Sequence, residues 1–293
     1  MRIVALCKTF AGEEWIRPMT MSIYPYVDKI VFVNSEISWT GRKGNTCKPI
    51  IYGMKDGILK KLNRLEVRRK KHINILESKI DIENKIISLN YDTVNQSRQC
   101  QLGYKYIQKH IPCDYVMLID TDEVWDDYDM QEAIKFIKKN PEYPTYRTAI
   151  YTYIKSPYWR IAPIESLKPV SFVSAKLESL GDNARCCDLP SVLIEREQNI
   201  PVYYHHFVYV RKDFNTVLEK IVSSHVSERA NYVDMSKWIP EVWNKLPEVG
   251  GRVGFHPAVG FQRNWLGIER IRREQLPRVL REQNFPIMEG FYE

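Results

Sequence analysis

No run of apolar residues in this chain approaches the roughly 18 that a membrane-spanning helix needs. The opening MRIVALCKTF also lacks the long apolar region and small-residue cleavage site of a secretory signal. Both absences argue against a helical membrane protein and point to the cytoplasm. The six cysteines, Cys7, Cys47, Cys100, Cys113, Cys186 and Cys187, show no C-x-x-C spacing, which speaks against a zinc ribbon or a disulfide framework in a chain of this length. They read as reduced thiols, with Cys7, Cys100 and Cys113 at apolar positions. No internal repeat or low-complexity tract is found. What the 293 residues do have is 44% hydrophobic composition, enough for a substantial globular core.

The formal net charge of +7 is unevenly placed. Lys55, Lys60, Lys61, Arg64, Arg68, Arg69, Lys70 and Lys71 face only Asp56 and Glu66, so nearly all the surplus sits in one segment. A second basic group, Arg270, Arg272, Arg273, Arg278 and Arg281, is partly offset by Glu269, Glu274 and Glu282. Such patches suit polyanionic partners, although a solvated helix face accounts for many charge runs.

Four short apolar runs in the first half, Arg2–Cys7, Lys29–Asn34, Lys85–Asn90 and Tyr115–Asp120, are too apolar on both faces for antiparallel edges and predict buried, mostly parallel strands. Between them, 58–79 carries Leu59, Leu62, Leu65, Ile73 and Leu76 at broadly helical spacing, and 95–111 places Cys100, Tyr104, Ile107 and Ile111 three or four apart. Asp129 with Glu132 resembles a capping box before MQEAIKFIKK, a helix expected to stop at Asn140 and Pro141. This alternation predicts an α/β fold, a mostly parallel sheet flanked by helices. The second half is aromatic and β-rich: Thr145–Ile161, Pro169–Leu177 and Ile200–Arg211 read as longer or antiparallel strands, and 213–229 as a helix. Residues 1–230 are expected to form one domain, with 231–293 as a C-terminal extension or lid packed on it.

The stretch YVMLIDTDEVW, Tyr115–Trp125, ends an apolar strand in carboxylates. Ligands of open α/β sheets bind beyond the carboxyl ends of the strands, where Asp120, Thr121 and Asp122 emerge. Two carboxylates two residues apart can meet one hard divalent cation, Mn²⁺ or Mg²⁺, which neutralises a diphosphate. With fourteen aspartates, roughly 0.7 Asp-x-Asp matches arise by chance, so the weight rests on the strand before the motif.

CDYVMLIDTDEVW, with the opening RIVALCKTFAGEEWI and YPYVDKIVFVNSE, resembles family 2-type glycosyltransferases of the glycosyltransferase-A fold. The resemblance covers about residues 1–139, with a weaker match at 200–211. It implies a nucleotide-sugar donor, foremost a UDP-sugar, across the strand ends, with Mn²⁺ or Mg²⁺ bridging Asp120 and Asp122 to the diphosphate. By position it implies Thr9, Phe10 and Glu13 near base and ribose, Asn34 to Glu36 at the second strand's end, and Arg98 before the motif strand. Relatives often carry Asp where this chain has Asn34.

Sugar transfer needs a stabilised leaving diphosphate and a base for the acceptor hydroxyl. In YYHHFVYVR, alternation places His205 and His206 on opposite faces, with His206 the preferred third metal ligand. The base is sought among Glu178, Asp182 and Asp188, with Asp188 first. Arg252 and His256, in the glycine-rich tail, are candidates to close over a diphosphate. The basic segment Lys55–Lys71 tilts the acceptor toward DNA carrying a hydroxymethylated base, with Tyr158, Trp159 or Trp265 available to stack on an extruded base. The alternative acceptor is surface polysaccharide or lipopolysaccharide. Two rivals are a sugar nucleotidyltransferase, disfavoured because CKTFAGEEW has a single glycine, Gly12, and a nucleic-acid-binding module whose acidic cluster is structural.

Overall fold

The computed structural model describes residues 1–9, 13–35, 73–77, 91–162, 168–180, 197–211, 213–224, 243–246, 254–256, 260–265 and 267–282; of 13, 73–77, 91–96, 221–224, 254–256 and 260–265 it describes the backbone alone. Strand β1, Ile3–Thr9, is buried along its whole length. Successive side chains of a strand point to opposite faces. Ile3, Ala5 and Cys7 therefore enter one core and Val4 and Leu6 the other. The first core is closed by α1, Glu13–Ile23, through Ile16, Met19 and Ile23, and by α3, Asp127–Lys139, through Met130, Ala133 and Ile137. The second is closed by α2, Tyr91–His110, through Cys100, Tyr104 and Ile107. Helices on both faces leave no room for polar positions in the central strands, hence their continuous apolar runs. Gly103 lets α2 come close: a Cβ there would stand 2.2 Å from Leu6 Cδ1 and 2.6 Å from Val33 Cγ2.

β1 is flanked in parallel by β2, Lys29–Asn34, and β4, Tyr115–Asp120, and β3, Ile73–Glu77, runs parallel to β2. β8, Val170–Ser174, joins β4 antiparallel, and β6, Thr145–Ile154, joins β8 antiparallel. The two reversals restore the direction of β4, and β9, Glu197–Tyr209, lies parallel to β6. The carboxyl ends of β1, β2, β4 and β9 thus share one edge of the sheet. Arg147, bonded through Nε and Nη2 to Glu197 at 2.6 and 2.8 Å, clamps β6 to β9. β5, Glu123–Val124, turns back along β9 and pairs Glu123 with His206. The outcome is the expected α/β architecture, a mixed sheet whose first half is parallel.

Three expectations change, and a fourth falls outside the described residues. The segment expected as helix contains β3 at Ile73–Glu77: INILE fits either period, and pairing along β2 decides it. The run Lys85–Asn90 lies outside the described residues. The helix expected from Asp129 starts at Asp127, because extended Asp126 caps it by accepting from Tyr128 N at 3.0 Å. Thr145–Ile161 is a hairpin rather than one strand: Lys155 takes a left-handed φ of 62° and the chain returns as β7, Trp159–Ala162. Lys155 is held there by Nζ, which donates to the carbonyls of Trp243 and Leu246 at 3.2 and 3.0 Å.

Residues of the expected C-terminal extension add to the same sheet and core. β12, Gly267–Arg270, pairs antiparallel with β7, and Ile271, Leu276 and Leu280 pack with Trp15, Tyr153 and Phe207. β10, Gly254–His256, and β11, Gly260–Trp265, form a two-stranded sheet. α4, Phe214–Ser224, follows β9, and α5, Arg278–Glu282, is tied to Asp126 by Arg278 N at 3.2 Å and to Asp127 by its guanidinium. No helix among the described residues is long and apolar enough to cross a membrane.

Candidate functional site at the carboxyl edge of the sheet

The edge where β1, β2, β4 and β9 end gathers most of the charge buried in the described residues. Asp120 closes β4, and its Oδ1 lies 3.3 Å from Nζ of Lys8, a lysine buried in β1. Asp122, 1% exposed, stands on the turn between β4 and β5. Its backbone is fixed by Phe207 N, which donates to the Asp122 carbonyl at 2.8 Å. Its Oδ2 accepts from Arg211 Nη2 at 2.5 Å and lies 3.2 Å from Lys220 Nζ on α4. Arg211 in turn reaches Glu14 Oε2 at 3.7 Å. Burial alone would raise the Asp122 pKa, but the Lys220 ammonium, the Arg211 guanidinium and His206 outweigh it and hold the carboxyl well below the usual carboxylate range. Three cations, Lys8, Arg211 and Lys220, thus pair with Asp120, Asp122 and Glu14 at this edge, where buried Glu123 adds a fourth carboxylate.

Aromatic packing sets this geometry. Trp15 on α1 stacks on Phe207 at 4.2 Å and donates from Nε1 to the Val210 carbonyl at 2.6 Å, which brings Glu14 beside Arg211. Glu123 is buried and turned inward: Oε2 accepts from Asp120 N at 2.9 Å and Oε1 from the Tyr204 hydroxyl at 3.2 Å. It therefore orients the Asp120 backbone.

The two histidines divide as the strand period requires. His205 is buried, with Nδ1 2.7 Å from the Tyr153 hydroxyl, and burial, with the Arg160 charge second, lowers its pKa to about 3. It is a neutral core residue. His206 faces the acidic turn, its Nε2 3.6 Å from Asp122 Oδ1. Among the described residues no group of three or more His, Cys, Asp or Glu side chains converges as a metal site. Among the same residues, Asp122 Oδ1 is buried with no hydrogen-bond partner and faces His206. Donors at this separation can share one cation at about 2.1 Å each, and Mg²⁺-type sites commonly use one or two protein carboxylates and complete their shell with phosphate and water.

Thr9 and Asn34 also meet at this edge, but with each other: the Thr9 hydroxyl donates to Asn34 Oδ1 at 3.1 Å, and both are fully buried. Thr121 is buried beside the two aspartates. Arg98 is exposed on α2, whereas its neighbour Gln99 is buried and donates to the carbonyls of Val33 at 2.6 Å and Thr9 at 3.5 Å. Glu178 is not brought to the site. It follows Leu177, whose carbonyl accepts from Tyr104 and Gln108 beyond the end of β8, at the opposite edge, where Ser174 pairs with Tyr115. Trp159 is buried against Trp243 and Leu246 rather than exposed for stacking, and Tyr158 is half-buried. Phe10, Glu36, Asp182, Asp188, Arg252, the Lys55–Lys71 segment and the side chains of Glu13, His256 and Trp265 lie outside the described residues.

Sequence reasoning missed Lys8, Glu14, Gln99, Arg211 and Lys220. One signal was present for Lys8, a lysine inside a continuous apolar strand, which is a costly placement without a partner. The others depend on contacts distant in sequence, such as Arg211 with Asp122, 89 residues apart.

No family model matches the chain, and neither does any curated protein. Solved structures resemble it weakly. The S. aureus TarS fragment 1–349 in complex with UDP does so at 11% identity and a TM-score of 0.41, over 76% of this chain and 65% of that one. The inositol-1-phosphate CTP transferase from T. maritima does so at 10% identity and 0.37, over 71% and 89%. HddC from Yersinia pseudotuberculosis shows 12% identity and 0.37, over 75% and 99%. The chain spans less than two-thirds of the TarS fragment and 39% of the longer TarS chain. Likenesses at these scores say nothing about substrate.

Proposed function

We propose that this protein is a metal-dependent glycosyltransferase that moves a sugar from a nucleotide-sugar, foremost a UDP-sugar, to an acceptor hydroxyl. The observation that carries the reading is the buried, unbonded Oδ1 of Asp122 facing His206 Nε2 at 3.6 Å, at the edge of the sheet where ligands of α/β folds bind. Asp122 and His206, with Asp120 beside them, would hold Mn²⁺ or Mg²⁺, whose charge offsets that of the departing diphosphate when bound. The charge of the cluster supports this. Its cations Lys8, Arg211 and Lys220 are outnumbered by the carboxylates Asp120, Asp122, Glu14 and Glu123, so a diphosphate arriving without a cation would add uncompensated negative charge.

The chain's own residues supply positioning. Arg211, held between Asp122 and Glu14, fixes the carboxylate rotamer, and Glu123 fixes the Asp120 backbone. Thr9 and Asn34 join the ends of β1 and β2 at the edge where the nucleotide would lie, and Phe10, Glu13, Glu36 and Arg252 are the further nucleotide contacts proposed from the sequence alone. The proton of the acceptor hydroxyl goes to Asp188, ahead of Asp182. For the acceptor we propose DNA with a hydroxymethylated base, on the strength of the basic segment Lys55–Lys71. Duplex binding at low salt that falls when Arg64, Arg68 and Arg69 are neutralised supports this, and no affinity in the intact protein rejects it.

The donor half is tested by screening UDP-, GDP-, CMP- and dTDP-sugars for hydrolysis with Mn²⁺, with Asp122→Asn and His206→Ala as controls. Turnover of one donor class that both substitutions abolish in folded protein supports the reading. Absence of turnover and of nucleotide binding favours a structural acidic cluster.

A further inference from the structure

Asp122 Oδ2 is approached by two full positive charges, and the two are built differently. Arg211 has a side chain 1% exposed, bonds the oxygen at 2.5 Å and is held on its other side by Glu14. Its guanidinium is enclosed on both sides and belongs to the scaffold. Lys220 approaches the same oxygen at 3.2 Å from α4, with its side chain 20% exposed. It stands on the solvent side of the cluster, on a flexible four-carbon stem carrying three rotatable donors. Arg211 is shared between Asp122 and Glu14, and Lys220 is the second cation on Asp122 Oδ2. The buried carboxylate thus carries one enclosed cation, Arg211, and one partly exposed cation, Lys220, while its other oxygen, Oδ1, faces His206.

We propose that Lys220 is a diphosphate-binding residue, which leaves Asp122 on donor arrival and donates to the oxygens of the nucleotide's distal phosphate. This rests on the nucleotide-sugar reading and adds to it the residue that discriminates diphosphate from monophosphate. No covalent bond changes: the ammonium exchanges one anionic partner for another, and Asp122 keeps Arg211. A lysine suits the role because it binds phosphate as a compact point charge and can turn without disturbing the helix that carries it.

The test measures, in Mn²⁺, the affinities of UDP, GDP, CDP and dTDP and of the matching monophosphates for the intact protein, Lys220→Met and Lys220→Arg. For the nucleotide that the intact protein binds, Lys220→Met should weaken the diphosphate about tenfold while the monophosphate changes less than twofold. Lys220→Arg should recover most of the loss. Equal weakening of diphosphate and monophosphate, or no weakening of either, overturns the proposal and leaves the donor reading standing. If the intact protein binds none of the four diphosphates, the donor reading falls and the proposal with it. Unchanged thermal unfolding of Lys220→Met separates a binding effect from a packing effect of α4.

Discussion

Replacing Asp122 by Asn preserves volume and the Oδ1 acceptor and removes one buried negative charge. Arg211, whose side chain is 1% exposed, then keeps only Glu14, at 3.7 Å, whereas Lys220 can turn its ammonium toward water. Breaking one side of a buried ion pair costs about 3–5 kcal/mol. The remaining Glu14 and the partial exposure of Lys220 place this case at the lower end, about 3 kcal/mol. At an unfolding entropy of about 2.1 cal/mol/K per residue, a chain of 293 residues loses about 0.6 kcal/mol per degree, so Tm should fall by about 5 °C. Scanning calorimetry at neutral pH reads this directly. The double variant Asp122→Asn/Arg211→Met removes the stranded cation as well and should melt above the sum of the two single effects, because the residues share one interaction. A Tm for Asp122→Asn within a degree of the parent, or additive single effects, would refute the idea that Asp122 anchors Arg211.

Gly103→Ala should destabilise by about 1–3 kcal/mol, because the new Cβ meets Leu6 and Val33 well inside contact distance. The sign is the opposite of the roughly 1 kcal/mol that Ala gains over Gly in an exposed helix, and denaturant titration distinguishes the two. Asp129 on α3 has its pKa raised to about 6, chiefly by burial and further by Asp126, against the bond from Tyr203 N. The folded state therefore binds this proton more tightly than the unfolded chain, and stability contributed here falls as pH rises from about 4 to 6. Asp129→Asn should be more stable than the parent above pH 6, by about 1 kcal/mol after allowing for its partial exposure, with the gap closing below about pH 4. An equal difference at all pH values would contradict this assignment.

The parts of the fold legible in the sequence are those whose signal is local. β2 and β4 were read to the residue because burial on both faces demands unbroken apolar runs. The choice of His206 over His205 followed from strand alternation alone. INILE was misread because isoleucine and leucine at that spacing suit a helix as well as a strand, and only pairing along β2 separates them. The hairpin at Lys155 was missed because its left-handed residue is a lysine, stabilised by carbonyls that arrive from Trp243 and Leu246. The site shows the same division. Asp120 and Asp122 announce themselves at a strand end, whereas Glu14, Arg211 and Lys220 join them only because Trp15 docks on Phe207 and α4 folds back over β9.

Isothermal titration of the intact protein with UDP, GDP, CDP and dTDP, in Mn²⁺ and again in EDTA, bears most directly on the central claim. The account predicts that one of them, UDP first, binds in Mn²⁺, that chelation abolishes the binding, and that His206→Ala weakens it while leaving the fold intact. Binding that is indifferent to chelation would contradict the cation site at Asp122 and His206, and no binding of any diphosphate in Mn²⁺ would contradict the donor site itself.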